Sequence, residues 1–164
     1  MGKPGQCPDR EVGASEELPE KLHLLLDTMG SIHDQNQRVQ MLLDFAGRFK
    51  EVPERVARRP FPEKNRVVFC ESEAYVWAER QADGTAKFHF AVENPSGVSA
   101  KALAYILDRT LSGVPLEQVL RVKPGIVSTI FRQNISMGKG MGLMAIVQTV
   151  QKLASDLMRE TPGC

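Results

Sequence analysis

Residues 67–92 read VVFCESEAYVWAERQADGTAKFHFAV, and this stretch decides the fold. Phe88, Phe90 and Val92 alternate as the core-facing side of a strand does. The runs Ala74 to Gln81 and Ala86 to Val92 flank Asp83-Gly84, a dipeptide suited to a type I′ hairpin turn. A lone hairpin is marginal in water, so the apolar run Val67 to Phe69 is expected to supply a third strand. His89 alternates with the core phenylalanines and is expected to face solvent.

On both sides of this stretch the apolar period changes from two to that of a helix. Leu22, Leu25, Leu26 and Met29 mark a first helix from about Pro19 to Gly30. Asp34 is placed to cap a second, with Val39, Leu42, Ala46 and Phe49 on one face. Downstream, Ala100, Leu103, Ala104, Leu107 and Leu111 form a stripe that stops at Gly113. Pro115 opens a short helix to Leu120, Pro124-Gly125 interrupts, and Leu143, Ile146, Val147, Val150, Leu153, Ala154 and Leu157 line a last helix. Gly138-Lys139-Gly140-Met141-Gly142 fits neither the Walker A nor the Rossmann spacing and reads as a flexible approach to that helix. The expected fold is α+β: a small antiparallel sheet of about three strands packed against several helices. Residues 18–158 are expected to form one domain, with a disordered tail at 1–17 and a flexible one at 159–164.

Charge excludes several classes of function. Lys and Arg number 21 against 20 Asp and Glu, so no whole-molecule field points to nucleic acid or a membrane surface. No apolar run approaches the roughly 20 residues that span a bilayer. The first residues lack the apolar core of a secretory signal and carry Asp9, Glu11, Glu16 and Glu17, unlike an acid-poor transit peptide. Gln6 breaks the myristoylation pattern, and with Cys164 as the last residue no prenylation box is expected. A cytoplasmic setting is expected, or a plastid if the chain is a processed form. Positive charge concentrates between Pro53 and Arg66, at Arg55, Arg58, Arg59, Lys64 and Arg66, and reads first as a solvated basic loop.

The candidate chemistry narrows to one residue. Cys7, Cys70 and Cys164 are too few for a disulfide framework and do not form a zinc-ligand pattern. Only Cys70 lies inside the folded region, and composition alone favours an inert buried thiol there. Its place is the end of an apolar strand, entering Glu71-Ser72-Glu73. Arg66 and the basic loop favour the reactive thiolate while Glu71 and Glu73 oppose it, and the sequence leaves that balance open. His23, His33 and His89 show no partnership with the cysteine. Tyr75 reads as a packing residue.

Four segments carry a resemblance, in one order from about Pro19 to Leu157. Asn65 through Tyr75, NRVVFCESEAY, resembles the cysteine segment of the SufE family, typically Asn-x-Val-x-Gly-Cys-x-Ser-x-Val-Trp. Ser99-Ala100-Lys101-Ala102-Leu103 resembles that family's Ile-Val-Lys-Gly-Leu helix opening, and Ser112 through Val119 its Gly-x-Thr-Pro-x-(Glu/Asp)-Ile segment. Gln133 through Leu143 follows a stretch ending Arg-x-x-Gly-Leu. Three departures stand out. Phe69 replaces the Gly before the cysteine and removes a φ-permissive residue. Asn94 or Ser96 stands where an Asp is common, and Lys139 replaces an Arg, losing its fork but keeping its charge.

The resemblance implies that Cys70 takes a persulfide sulfur from a SufS-like, pyridoxal-phosphate cysteine desulfurase and passes it to iron–sulfur scaffold proteins. Ser72, Lys101 and Lys139 are then expected to support it. No cofactor or metal is implied on this chain, since the pyridoxal phosphate belongs to the partner, and a homodimer is left open. Two alternatives stay open: a non-catalytic desulfurase-binding regulator of the same fold, and a redox-sensing cysteine, which would need a resolving thiol nearby.

Overall fold

The structure, a computed structural model, describes residues 18–160. The expected N-terminal tail, Cys7 and Cys164 lie outside those residues. The helices are α1 (Glu20–Ser31), α2 (Gln35–Gly47), α3 (Val98–Leu111), α4 (Leu116–Val119), α5 (Ile126–Phe131) and α6 (Met137–Glu160). The strands are β1 (Ala74–Arg80) and β2 (Ala86–Val92). Arg159 and Glu160, assigned from the sequence to a flexible tail, are the last residues of α6.

The sheet has two antiparallel strands, with Ala74 opposite Val92, Val76 opposite Phe90 and Ala78 opposite Phe88. The expected third strand shrinks to an isolated bridge, Arg66 to Tyr75, with the Val67 N–H donating to the Ala74 carbonyl at 2.8 Å. The reason is local: Phe69 and Glu73 adopt positive φ (62° and 51°), which turns the chain away from β1. Other groups fill the sheet edges. The Asn65 amide donates to the Val76 carbonyl at 2.9 Å, the Val52 N–H to Phe90, and the Gly113 N–H to Ala86. The hairpin is not type I′ either, because only Gly84 has positive φ (87°) where that turn needs two such residues. Gly84 instead closes a three-residue loop, its N–H donating to Gln81 while the Gln81 N–H donates to Thr85.

One sheet face, with Val76, Phe88, Phe90 and Val92, enters the main core against α3 and α6. Leu103, Ile106, Leu107, Leu143, Ile146, Val147 and Val150 are almost wholly buried there, and each such side chain contributes about 1.5–3 kcal/mol. The opposite face, expected to meet solvent at His89, is covered instead by the segment Val52 to Phe61, which packs on Tyr75, Trp77 and Ala91. Phe61 lies 5.1 Å from the Trp77 ring and 5.2 Å from Tyr75. His89 is therefore buried, 3.4 Å from Glu79, rather than surface-facing. The basic loop is also paired rather than merely solvated: Arg55 holds Glu79 at 2.6 and 3.1 Å, and Arg59 bridges Glu51 and Glu93.

Among the helices, Asp34 caps α2 as expected, accepting from the Asn36 N–H at 2.8 Å and the Gln37 N–H at 3.3 Å. The buried face of α2 differs from the expected stripe. Val39 is partly exposed, while Arg38 is buried. Its guanidinium donates to the carbonyls of Met29 and Ile32 at the end of α1 and of Thr129 and Ile130 in α5. Helix ends leave such carbonyls short of partners, and of these Met29 O also accepts from the Ile32 N–H at 3.3 Å. Helix α5 is six residues long, too short to leave a periodic signal in the sequence. The glycine-rich run 138–142 is not a flexible approach but the first turns of α6, capped by Ser136, whose Oγ accepts from the Lys139 N–H at 3.3 Å.

Candidate functional site around Cys70

Between the Arg66 bridge and β1, the chain makes a loop whose side chains part company. Val67 is buried, Val68 and Phe69 are exposed, and Cys70 turns back inside at 7% exposure. The left-handed backbone at Phe69 produces this reversal, leaving its own ring 89% exposed. The loop is fixed by its carbonyls. Cys70 O accepts from the Glu73 N–H at 3.1 Å, Ser72 O from the Asn94 N–H at 3.2 Å, and Glu73 O from the Glu93 N–H at 3.1 Å. The Asn94 side chain donates to Glu71 O at 3.2 Å, and its amide oxygen accepts from the Ser96 N–H at 2.9 Å. Asn94 thus links the cysteine loop to the turn that starts α3.

Cys70 lies on the wall between two recesses. Outside is an open groove of about 540 Å³ formed by Glu63, Arg66 and the loop residues Val67 to Glu71. Inside is a narrower cleft of about 210 Å³, where Ser72, Asn94, Ser96, Gly97, Ser99, Gly138, Lys139 and Gly142 meet Cys70. The thiol lies on the inner side. A Cβ built on Gly142 would stand 3.6 Å from Cys70 Sγ and 3.3 Å from its Cα. The first turns of both α3 and α6 line this cleft. The positive dipole ends of these two helices favour negative charge within it. Val68 and Phe69 in the loop, and Met137 and Met141 in the first turns of α6, expose apolar side chains, with Phe69 and Met137 at 89% and 85%.

Of the residues singled out from the sequence, Ser72 and Lys139 meet Cys70 in the inner cleft. Lys101 does not line it; it lies one turn into α3, with its N–H donating to Gly97 O at 3.0 Å. Arg66 borders the outer groove and pairs with Glu63 at 3.7 Å. Tyr75 and Trp77 stack 6.1 Å apart on the far sheet face, so Tyr75 packs as expected.

The family model described as SufE, Fe-S metabolism associated domain, matches residues 23–154. The chain belongs to the SufE family. This associates it with Fe-S metabolism. It is 26% identical over 143 residues to SufE-like protein 1, chloroplastic/mitochondrial, of Arabidopsis thaliana, covering 87% of this chain and 37% of the relative. It is 29% identical over 101 residues to the cysteine desulfuration protein SufE of Plasmodium vivax, covering 61% of this chain and 42% of that protein. The chain therefore spans less than half the length of these two relatives. Among solved structures, the solution structure of a hypothetical protein from Thermus thermophilus superposes with a TM-score of 0.68 at 25% identity, covering 88% of this chain and all of that one. No helix among the described residues is long and apolar enough to cross a membrane.

Three features around Cys70 were not expected from the sequence. Gly142 reads in the sequence as one of several flexible glycines, yet it is where α6 meets the cysteine loop. Gly97 starts α3 where a Cβ would come within 2.6 Å of Val92 Cγ1 and 3.2 Å of Ser72 Cβ. Met137 and Met141, four residues apart on α6, carried a signal that was available: two large apolar residues off the buried stripe.

Proposed function

We infer that this chain accepts a sulfur atom from a cysteine desulfurase as a persulfide on Cys70 and passes it on for iron–sulfur cluster assembly. The observation that carries this reading is the Cys70 thiol in a polar cleft between the first turns of α3 and α6, beside Lys139. The chemistry is thiol exchange with sulfur transfer. The Cys70 thiolate attacks the terminal sulfur of the donor's persulfide, that sulfur bonds to Cys70, and the donor cysteine leaves as a thiolate. Negative charge resides first on Cys70 Sγ and leaves with the donor thiolate; the terminal sulfur carries it once the new persulfide gives up its proton. The ammonium of Lys139 and the two helix N-termini favour both states.

Burial serves the carrier between transfers, because an exposed persulfide is open to other thiols and to oxidants. Transfer then requires a protein that contacts the loop. Val68, Phe69, Met137 and Met141 supply an apolar rim suited to that contact. Ser72 holds the loop through its backbone carbonyl. A reducing compartment, cytoplasm or plastid, keeps the thiol available.

The test is direct. The chain is mixed with a desulfurase and free cysteine, the intact mass is measured, and the modification is mapped. A gain of one sulfur on Cys70, absent in Cys70→Ser, is the expected result. Desulfurase stimulation that survives Cys70→Ser without any sulfur gain would establish a binding regulator instead. Modification by oxidant with no desulfurase present would mark a redox sensor.

A further inference from the structure

The inner cleft is larger than a persulfide requires. Its volume of about 210 Å³ is several times the roughly 30 Å³ that a water occupies in the liquid, and one added sulfur is of that order. Its lining also offers donors open to a ligand or to water: Ser96 and Lys139 are exposed, and Ser72 and Ser99 are half-buried. The side chains of Ser72, Ser96, Ser99 and Lys139 make no hydrogen bond or ion pair among the described residues. Glu71 is the one acidic residue on the wall, and its side chain is exposed. The thiol faces this side, near Gly142. The apolar rim that suits a protein partner belongs instead to the outer loop and the exposed flank of α6.

A nucleophile, an ammonium and three hydroxyls around a space of amino-acid size fit one class of ligand: a small thiol bearing a carboxylate. We propose that the inner cleft admits such a thiol and that persulfidated Cys70 discharges to it, a second outlet beside transfer to a protein. The small thiolate attacks the terminal sulfur of the Cys70 persulfide. A new S–S bond forms to the small molecule, the Cys70 Sγ–S bond breaks, and its electron pair returns to Cys70 as thiolate. Any proton on the terminal sulfur travels with it, so no oxidant or reductant is consumed. Lys139 holds the carboxylate, with Ser96 and Ser99 as further donors.

The inference shares with the preceding section only the persulfide on Cys70, so the experiment loads that residue without a desulfurase. A Cys7→Ser, Cys164→Ser chain is loaded with inorganic polysulfide and freed of excess. It is then challenged with cysteine or with cysteamine, which lacks only the carboxylate, and loss of one sulfur from the intact mass is timed. Cysteine is expected to discharge Cys70 saturably and about tenfold faster than cysteamine, the factor one charge-assisted hydrogen bond supplies. In Lys139→Met the ratio of the two rates is expected to fall towards one; because it is a ratio, any change in Cys70 reactivity cancels. Equal rates in the parent chain, or a ratio that Lys139→Met leaves unchanged, overturns the inference. If a desulfurase loads Cys70 but the two thiols discharge it alike, the inference fails and the desulfurase reading stands. If only polysulfide loads it and the carboxylate preference is present, the inference stands and the desulfurase reading fails.

Discussion

Gly142 lies directly beneath Cys70: a Cβ at position 142 would be 3.3 Å from the Cys70 Cα, 3.4 Å from the Phe69 carbonyl oxygen and 3.6 Å from the Cys70 sulfur. Two of those neighbours are backbone atoms, so relief requires moving the loop rather than rotating a side chain. Gly142→Ala is expected to leave thermal stability unchanged or slightly higher, since alanine gains up to about 1 kcal/mol of helix propensity. The loop, pushed outward by a few tenths of an ångström, should expose the thiol more often. Alkylation of Cys70 by iodoacetamide should then be several-fold faster than in the parent chain. An unchanged alkylation rate would show that the loop depth does not depend on Gly142.

Phe69 combines a left-handed backbone with a ring that touches almost nothing, and the two properties separate by mutation. Phe69→Gly relieves a conformational cost of about 1 kcal/mol, partly offset by the added freedom of the unfolded chain. Stability should therefore change little, while affinity for the cysteine desulfurase proposed above as its partner should fall about tenfold, as expected for loss of an aromatic anchor. Phe69→Leu should retain most of the affinity. Titration of the partner against each variant, alongside thermal melts, checks both outcomes. Equal affinity for all three chains would remove the apolar rim from the docking surface.

The parts of the fold that were legible in the sequence were those set by local periodicity. The stripes on α3 and α6 and the Asp34 cap needed only spacing and residue type. What was illegible depended on contacts distant along the chain. Val52 to Phe61 reads as a proline-broken loop, and nothing within it shows that it will cover the His89 face of the sheet. Arg38 occupies a position that the helix period assigns to solvent until two helix ends converge on it. At the site, Cys70 and its neighbours were readable as a motif. Phe69, a bulky residue where glycine is usual, gave no sign that it would keep the glycine-like conformation. Gly142 was equally silent, because a glycine required by a contact looks the same as one that permits flexibility.

Arg38 should be a major determinant of stability. Burial first, and the nearby Arg132 charge second, hold its pKa below the usual arginine value, yet a guanidinium stays charged, and it serves four carbonyls. Arg38→Met keeps the length and loses every donor, stranding carbonyls at the ends of α1 and α5. A loss of about 3 kcal/mol is expected in urea unfolding. Arg38→Lys should recover only part of it, because an ammonium cannot reproduce the planar fork. A loss below about 1 kcal/mol for Arg38→Met would mean that water satisfies these carbonyls.

Acid should loosen the segment that covers the far sheet face through one carboxylate. Hydrogen bonding from Arg55, and secondarily from His89, holds the Glu79 pKa down at about 2, against an ordinary 4.5. A carboxylate with a depressed folded-state pKa stabilises the fold fully above its unfolded value, and that contribution disappears as pH falls towards the folded value. The affected window therefore runs from about pH 4.5 down to about 2. The Arg55–Glu79 pair lies near the surface, so the effect should be modest and weaker in high salt. Glu79→Gln removes the titrating group. Its melting temperature should vary less steeply with pH across this window than that of the parent chain, with the two curves converging at the acid end. Parallel curves throughout the window would show that Arg55 does not anchor the segment through Glu79.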